Sequence, residues 1–203
     1  HTYFYSNNGD NWASLKSAAD SKPIWVTESG NLKSEDTGMD DAVHYADKIT
    51  RGFNEGGLTA YMTHLLIEEH VDSDNDPGAD SSALVTWENV NGENVIMLPK
   101  RYYVFKHFST LTGKNFKRIE NTQSGSSTDL LISSFISQGN DELVLHVFNE
   151  SNSSKTISIG LTSDPNPISV QHIITDSSND FSSSTISLSN NLTLGANSMN
   201  SFV

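Results

Sequence analysis

The sequence predicts an α/β half, built like part of a (β/α)8 barrel over residues 1–113, followed by an antiparallel β-sandwich over residues 114–203. Three observations carry this. Ile24-Trp25-Val26, within KPIWVTESG, is a short apolar, β-favouring run without polar alternation, as in a strand buried on both faces of a helix-covered parallel sheet. Up to Ile67 the chain alternates strand-like and helix-like segments with short connections, the grammar of right-handed βαβ units. Beyond Gly113 it breaks into short runs separated by Gly, Asn, Asp, Ser or Pro, the spacing of a sandwich.

Taken in order, His1–Tyr5 (HTYFY) is an aromatic strand turned by Asn7-Asn8-Gly9. Asp10 is a plausible N-cap for a short helix marked by Trp12, Leu15 and Ala19. Pro23 breaks the chain before the strand that ends at Thr27-Glu28-Ser29-Gly30. Ala42, Val43, Ala46, Ile49 and Phe53 fall at helical spacing within Met39–Glu55, closed by Gly56-Gly57. Leu58–Ile67 (LTAYMTHLLI) reads as one buried strand, and Glu68–Ser82 as a long acidic loop. Ala83–Glu88 and Val95–Leu98 form a hairpin turned at Asn91-Gly92, and Arg101–Leu111 a helix ended by Gly113. The sandwich strands fall at Phe116–Glu120, Leu130–Ser137, Glu142–Asn149, Thr156–Leu161, Ile168–Thr175, Ser184–Leu188 and Leu192–Val203. Within the third, Leu143, Leu145 and Val147 alternate with Val144, His146 and Phe148; His107, His146 and His172 are expected at the surface or partly buried.

Composition excludes several function classes. With 25 Asp+Glu against 12 Lys+Arg, the chain lacks the cation excess that a nucleic acid or an anionic membrane surface demands. No apolar run approaches the length of a membrane span, and no signal peptide is expected before His1. The absence of cysteine removes disulfides, thiolate catalysis and thiolate metal sites. A Ser-, Asn- and Thr-rich C-terminal half suits a secreted, extracellular β-domain. Asn149-Glu150-Ser151, Asn152-Ser153-Ser154 and Asn191-Leu192-Thr193 are formal glycosylation acceptors, meaningful in a eukaryotic secretory host.

In a (β/α)8 barrel the C-terminal ends of the strands carry the chemistry, which makes Glu28 the first catalytic candidate. The competing reading is a strand-end Glu facing water. Three parallel strands cannot close a barrel of about eight. One sheet edge and apolar surface are therefore expected to need cover from further chain, a second copy or another subunit.

The segments HTYF, WVTESG, LTAYMTHLL, KRYYVFKHFSTLTGK and NSMNSFV, in this order, resemble family-30 glycoside hydrolases, which are retaining clan-A (β/α)8 enzymes with a side β-sandwich. The resemblance implies that residues 1–113 are strands six to eight, the C-terminal part of the catalytic barrel. It implies Glu28 as nucleophile and Tyr3, on the adjacent strand, as the tyrosine that hydrogen-bonds it, with His1 lining the pocket. Retaining hydrolysis needs two carboxyl groups about 5–5.5 Å apart. The family's general acid lies on the fourth strand, so no residue of this sequence inherits that role. Glu68 and Glu69 are the only nearby substitutes, and beside Asp72, Asp74 and Asp76 they read better as a solvated acidic loop. The isolated chain is therefore expected to be inactive, and its partners are a polysaccharide or oligosaccharide plus the missing N-terminal barrel half or a companion chain.

After the eighth strand stand Thr63, His64, Leu65 and Leu66, with no arginine to grip a glucuronate carboxylate, which leaves unsubstituted xylan or a β-glucan as substrate for an endo-acting xylanase or glucanase. Tyr61, His64 and Trp87 are the substrate-binding candidates with His1; Tyr61 and Trp87 serve equally well as core. No cofactor or metal is expected. A weak calcium candidate is Asp72, Asp74 and Asp76, whose glycine falls one position late and whose twelfth position is Ala83. An N-terminal copper site on His1 with His64 or His44 has nothing to fix its geometry. The alternative from another class is a non-catalytic carbohydrate-binding or accessory module, in which Glu28 is dispensable.

Overall fold

The computed structural model describes residues 11–30, 38–69, 83–125, 127–161, 169–188 and 191–203, and the backbone of residues 2–4. Two compact units divide at Phe105/Lys106, inside a helix rather than after Gly113.

In the first unit, β1 (Thr2–Phe4), α1 (Trp12–Ala19), β2 (Ile24–Ser29), α2 (Met39–Asn54) and β3 (Leu58–Tyr61) make two consecutive βαβ crossovers, and the strands pair in parallel in the order β1-β2-β3. Asn11, not Asp10, caps α1, its side chain accepting from the Ser14 N–H. Trp12 is fully buried against Ile24, Val26 and Leu58, and each such side chain contributes roughly 1.5–3 kcal/mol. Trp12 also packs close to Gly52 and Gly56 around the end of α2. A Cβ at Gly56 would stand 2.7 Å from its ring and 2.8 Å from the Gly52 carbonyl, so glycine is what permits the approach. Asp41 in the first turn of α2 and Arg101 form a fully buried ion pair at 2.7 Å, with Arg101 Nε donating to the Ala83 carbonyl.

The expected strand Leu58–Ile67 is two. Through Met62 and His64 the chain keeps bonding to β2, after which β4 (Ile67–Glu69) turns away to pair in parallel with β5 (Val85–Val90). A run of apolar residues does not disclose a change of partner. Glu68 and Glu69, expected in an acidic loop, are strand residues; residues 70–82 lie outside those described. β5 and β6 (Glu93–Met97) form the expected hairpin, with Asn91 (φ 54°) and Gly92 (φ 90°) both left-handed as a type I′ turn demands. α3 (Lys100–Leu111) follows.

In the second unit, β7 (Lys117–Ile119), β8 (Leu130–Ile136), β9 (Leu143–Asn149), β10 (Lys155–Ile157), β11 (Val170–Thr175), β12 (Ser182–Ile186), β13 (Leu192–Leu194) and β14 (Ser198–Phe202) form two antiparallel sheets. One is six-stranded, β12-β11-β14-β9-β8-β7; the other is β10-β13. Val147, Leu194 and Phe202 anchor the core between them, joined by Ile157, Val170, Ile186 and Leu192. The expected last strand is also two: Leu192–Leu194 bonds β10, a turn with Asn197 in the left-handed region (φ 42°) reverses the chain, and Ser198–Phe202 inserts between β9 and β11. Both faces of β9 are covered, so His146 is 1% exposed, and His107 on α3 is 0% exposed. That corrects the surface reading of these histidines, because β9 is a central strand with neighbours on both sides.

Candidate functional site

The site is built on the end of β2. Val26 accepts from the Met62 N–H at 2.9 Å, but the next bond goes from His64 N–H to the carbonyl of Ser29, not Glu28, at 2.8 Å. Against β1 the pairing steps from Thr2↔Val26 to Tyr3↔Glu28. Relative to both neighbours, β2 therefore carries one extra residue between Val26 and Ser29, a bulge. Strand side chains alternate faces, so the insertion reverses the sequence after it. Val26 and Ser29, both 0% exposed, share the helix-covered face; Glu28, half-buried, is turned to the face of Trp25. Trp25 is 50% exposed and Met62 44%. The expectation that Ile24-Trp25-Val26 is buried on both faces is thus corrected, since Trp25 is half-exposed and, among the described residues, only the face toward α1 and α2 is covered.

The segment after Glu28 is held by Tyr61, which the sequence offered as a sugar-binding residue, and by Thr63 and Lys48, for which it offered no role. Tyr61 donates its hydroxyl to Ser29 Oγ at 2.7 Å, and Thr63 Oγ1 donates to the Ser29 carbonyl at 3.0 Å. Lys48, 5% exposed on α2, donates from Nζ to the Gly30 carbonyl at 2.9 Å. The polar spacing Ser29, Tyr61, Thr63 is visible in the sequence, but only the strand pairing shows that these groups meet. The recess lined by Ser29, Gly30, His44, Tyr45, Lys48 and Tyr61 lies on the helix side and has no room for a molecule even the size of water. It belongs to strand–helix packing.

The other candidates distribute as follows. Tyr3 is the register partner of Glu28. Tyr61 has its hydroxyl on Ser29 and its ring 6.4 Å from Phe105. His64 is half-buried, its backbone bonded to Ser29. Trp87 lies on β5 between Glu69 and Ile96 as register partners, and Ile96 is 57% exposed. Glu68 is half-buried and Glu69 exposed. His1, Asp72, Asp74 and Asp76 lie outside the described residues, among which no cluster of three or more His, Asp or Glu is poised for a metal. No helix among them is long and apolar enough to cross a membrane.

No protein-family model and no curated protein matches the chain. Solved structures do. A GH30 endoxylanase from Clostridium papyrosolvens superposes with a TM-score of 0.71 at 19% identity, over 98% of this chain and 47% of that one. The catalytic domain of GH30 xylanase C from Talaromyces cellulolyticus gives 0.70 at 22% identity, over 90% and 41%. A protein from Bacteroides fragilis described as conserved and exported gives 0.78 at 15% identity, over 98% and 44%. The chain thus spans less than half the length of each of these structures. At these identities the likeness is one of fold: a partial barrel plus sandwich, as in the C-terminal part of family-30 glycoside hydrolases.

Proposed function

We propose that this chain is the C-terminal part of a retaining β-glycoside hydrolase acting on a plant or microbial cell-wall β-glycan, xylan or β-glucan, with Glu28 as the nucleophile. The observation that carries the reading is the placement of Glu28: at the C-terminal end of a parallel strand, opposite Tyr3, turned by the bulge onto the open face of the sheet. In this reading the Glu28 carboxylate attacks the anomeric carbon, with Tyr3 of the adjacent strand as its neighbour. His1 and His64 line the pocket, and Tyr61 and Trp87 offer ring faces to a neutral sugar. The general acid comes from a companion segment whose strand ends in Asn-Glu, and that segment also covers Trp25 and Met62. The protein is exported, where its polymeric substrate is.

The test compares the chain alone with the chain joined to a barrel half that supplies such a strand, on xylan and on β-glucan. The joined protein is expected to turn over substrate and to lose at least about 10³-fold in kcat as Glu28→Gln; the chain alone is expected to be inactive. Turnover by the joined protein that survives Glu28→Gln contradicts the nucleophile assignment, and saturable glycan binding without product release favours a non-catalytic binding module.

A further inference from the structure

A polar row crosses the six-stranded sheet on the face that receives the last turns of α3. Ser133 on β8, His146 on β9 and Ser201 on β14 are direct register partners, and all three are buried. Ser201 Oγ lies 2.7 Å from His146 Nδ1 and 2.6 Å from His107 Nδ1, and His107 Nε2 lies 3.0 Å from Thr175 Oγ1. Thr175 Oγ1 also accepts the Phe181 N–H at 3.1 Å. One serine hydroxyl thus joins two imidazoles, and its single proton serves only one of them.

The row is filled for neutral rings. His146 Nε2 and Ser133 Oγ have no hydrogen-bond partner among the described residues, so a proton added at His146 Nε2 has no acceptor. Phe108 and Phe135 close over the His146 ring, with centroids 4.6 and 5.8 Å away. The groups that act on His107 through charge are His146, His172 and Lys106, all of its own sign when protonated. Lys106, on the same turn of α3, sits over the Phe181 ring, and His172 of β11 is bonded to Asn200 and stacked on Phe202. Of the carboxylates in the β11–β12 loop, Asp176 is taken up by Asn179 and the Ser178 N–H, and Asp180 precedes Phe181. Burial, and then the neighbouring cations, hold His107 well below its ordinary value; burial alone pushes His146 down to about 3.

We propose that Thr175, His107, Ser201 and His146 form an acid-sensitive latch, which holds Lys106–Leu111 of α3 against the sheet while both imidazoles are neutral and releases it when they take up protons. The closed state binds neither proton and the open state binds both. The open-to-closed ratio therefore rises by up to about a hundredfold per pH unit below 6.5. The latch stands independently of any reading of Glu28.

The test is amide hydrogen exchange of residues 106–111 and 199–202 in the wild-type chain from pH 7.5 to 4.5, corrected for intrinsic exchange, alongside NMR titration of the His146 ring. Protection is expected to fall with a two-proton slope, with the ring neutral until protection is lost. His146→Phe, which keeps an aromatic between Phe108 and Phe135, is expected to reduce the slope to one proton, about tenfold per pH unit. Ser201→Ala, retaining both rings, is expected to lower protection at pH 7.5 while keeping two protons. A His146 ring that titrates between pH 6 and 7 with protection intact overturns the latch, as does an unchanged slope in His146→Phe. If either variant fails to fold, the wild-type titration decides.

Discussion

Tyr3 and Glu28 are register partners across the parallel β1–β2 pair, at the step where β2 carries its extra residue. Without that residue Glu28 would share a face with Val26 and lie under the helices; with it, Ser29 takes that place and the carboxylate faces the open side of the sheet. The chemistry proposed for this chain depends on that reversal.

Ser29 is the anchor of the reversed segment. Ser29→Ala strips the Tyr61 hydroxyl of its acceptor at a half-buried position. Denaturant unfolding is expected to show a loss of about 1–2 kcal/mol. A neutral result in Ser29→Ala would mean that the hydroxyl contact contributes nothing to holding the bulge.

Asp41→Ala leaves the Arg101 guanidinium buried without its carboxylate. The expected cost is about 3–5 kcal/mol, and Asp41→Ala combined with Arg101→Met recovers much of it, because an apolar pair demands no desolvated charge. Equal losses in the single and double variants would place the cost in packing instead.

Gly56→Ala directs a methyl into the Trp12 ring and the Gly52 carbonyl. An overpacking loss of about 1–3 kcal/mol is expected, with quenched or shifted Trp12 fluorescence. The same substitution at Gly92 has open space for the methyl but a φ of 90°, so its cost is conformational and leaves the Trp signal alone.

Global stability should fall on acidification. His146 binds no proton in the folded state until about pH 3, whereas the unfolded chain protonates it near 6.5. Unfolded chain therefore binds more protons throughout that window, and stability is full above pH 6.5 and declines as pH drops. The slope is about 1.4 kcal/mol per pH unit for His146, with His107 adding in the same direction. A flat profile between pH 6.5 and 4.5 in urea titrations would contradict it.

Of the three glycosylation acceptors, Asn149 is 0% exposed, and its Nδ2 donates to the carbonyls of Ser153 and Gly195. Folded protein secreted from a eukaryotic host is expected to carry no glycan there, while Asn191 is exposed. Peptide mapping distinguishes the two sites.

Much of the fold was legible because its signals are local. Trp12, Leu15 and Ala19 marked α1, the spacing from Ala42 to Phe53 marked α2, and Asn91-Gly92 fixed the hairpin. What stayed hidden depends on pairing. LTAYMTHLLI gave no sign that β3 ends and β4 changes partner, nor the last run that β13 and β14 enter different sheets. Glu28 was legible as a strand-end carboxylate, but the residue inserted beside it was not, because register is a property of two strands. His146 left a readable trace: it shares a face with Val144 and Phe148, both buried, which is a core position rather than a surface one.

Covalent trapping tests the central claim most directly. A 2-deoxy-2-fluoro-β-glycoside with an activated leaving group needs no general acid, so it reports on the nucleophile alone. Applied to the chain joined to its companion barrel half, it should place one sugar on the peptide containing Glu28, and Glu28→Gln should abolish the adduct. A label on Glu68, Glu69 or any other carboxylate, or an adduct that persists in Glu28→Gln, would contradict the account.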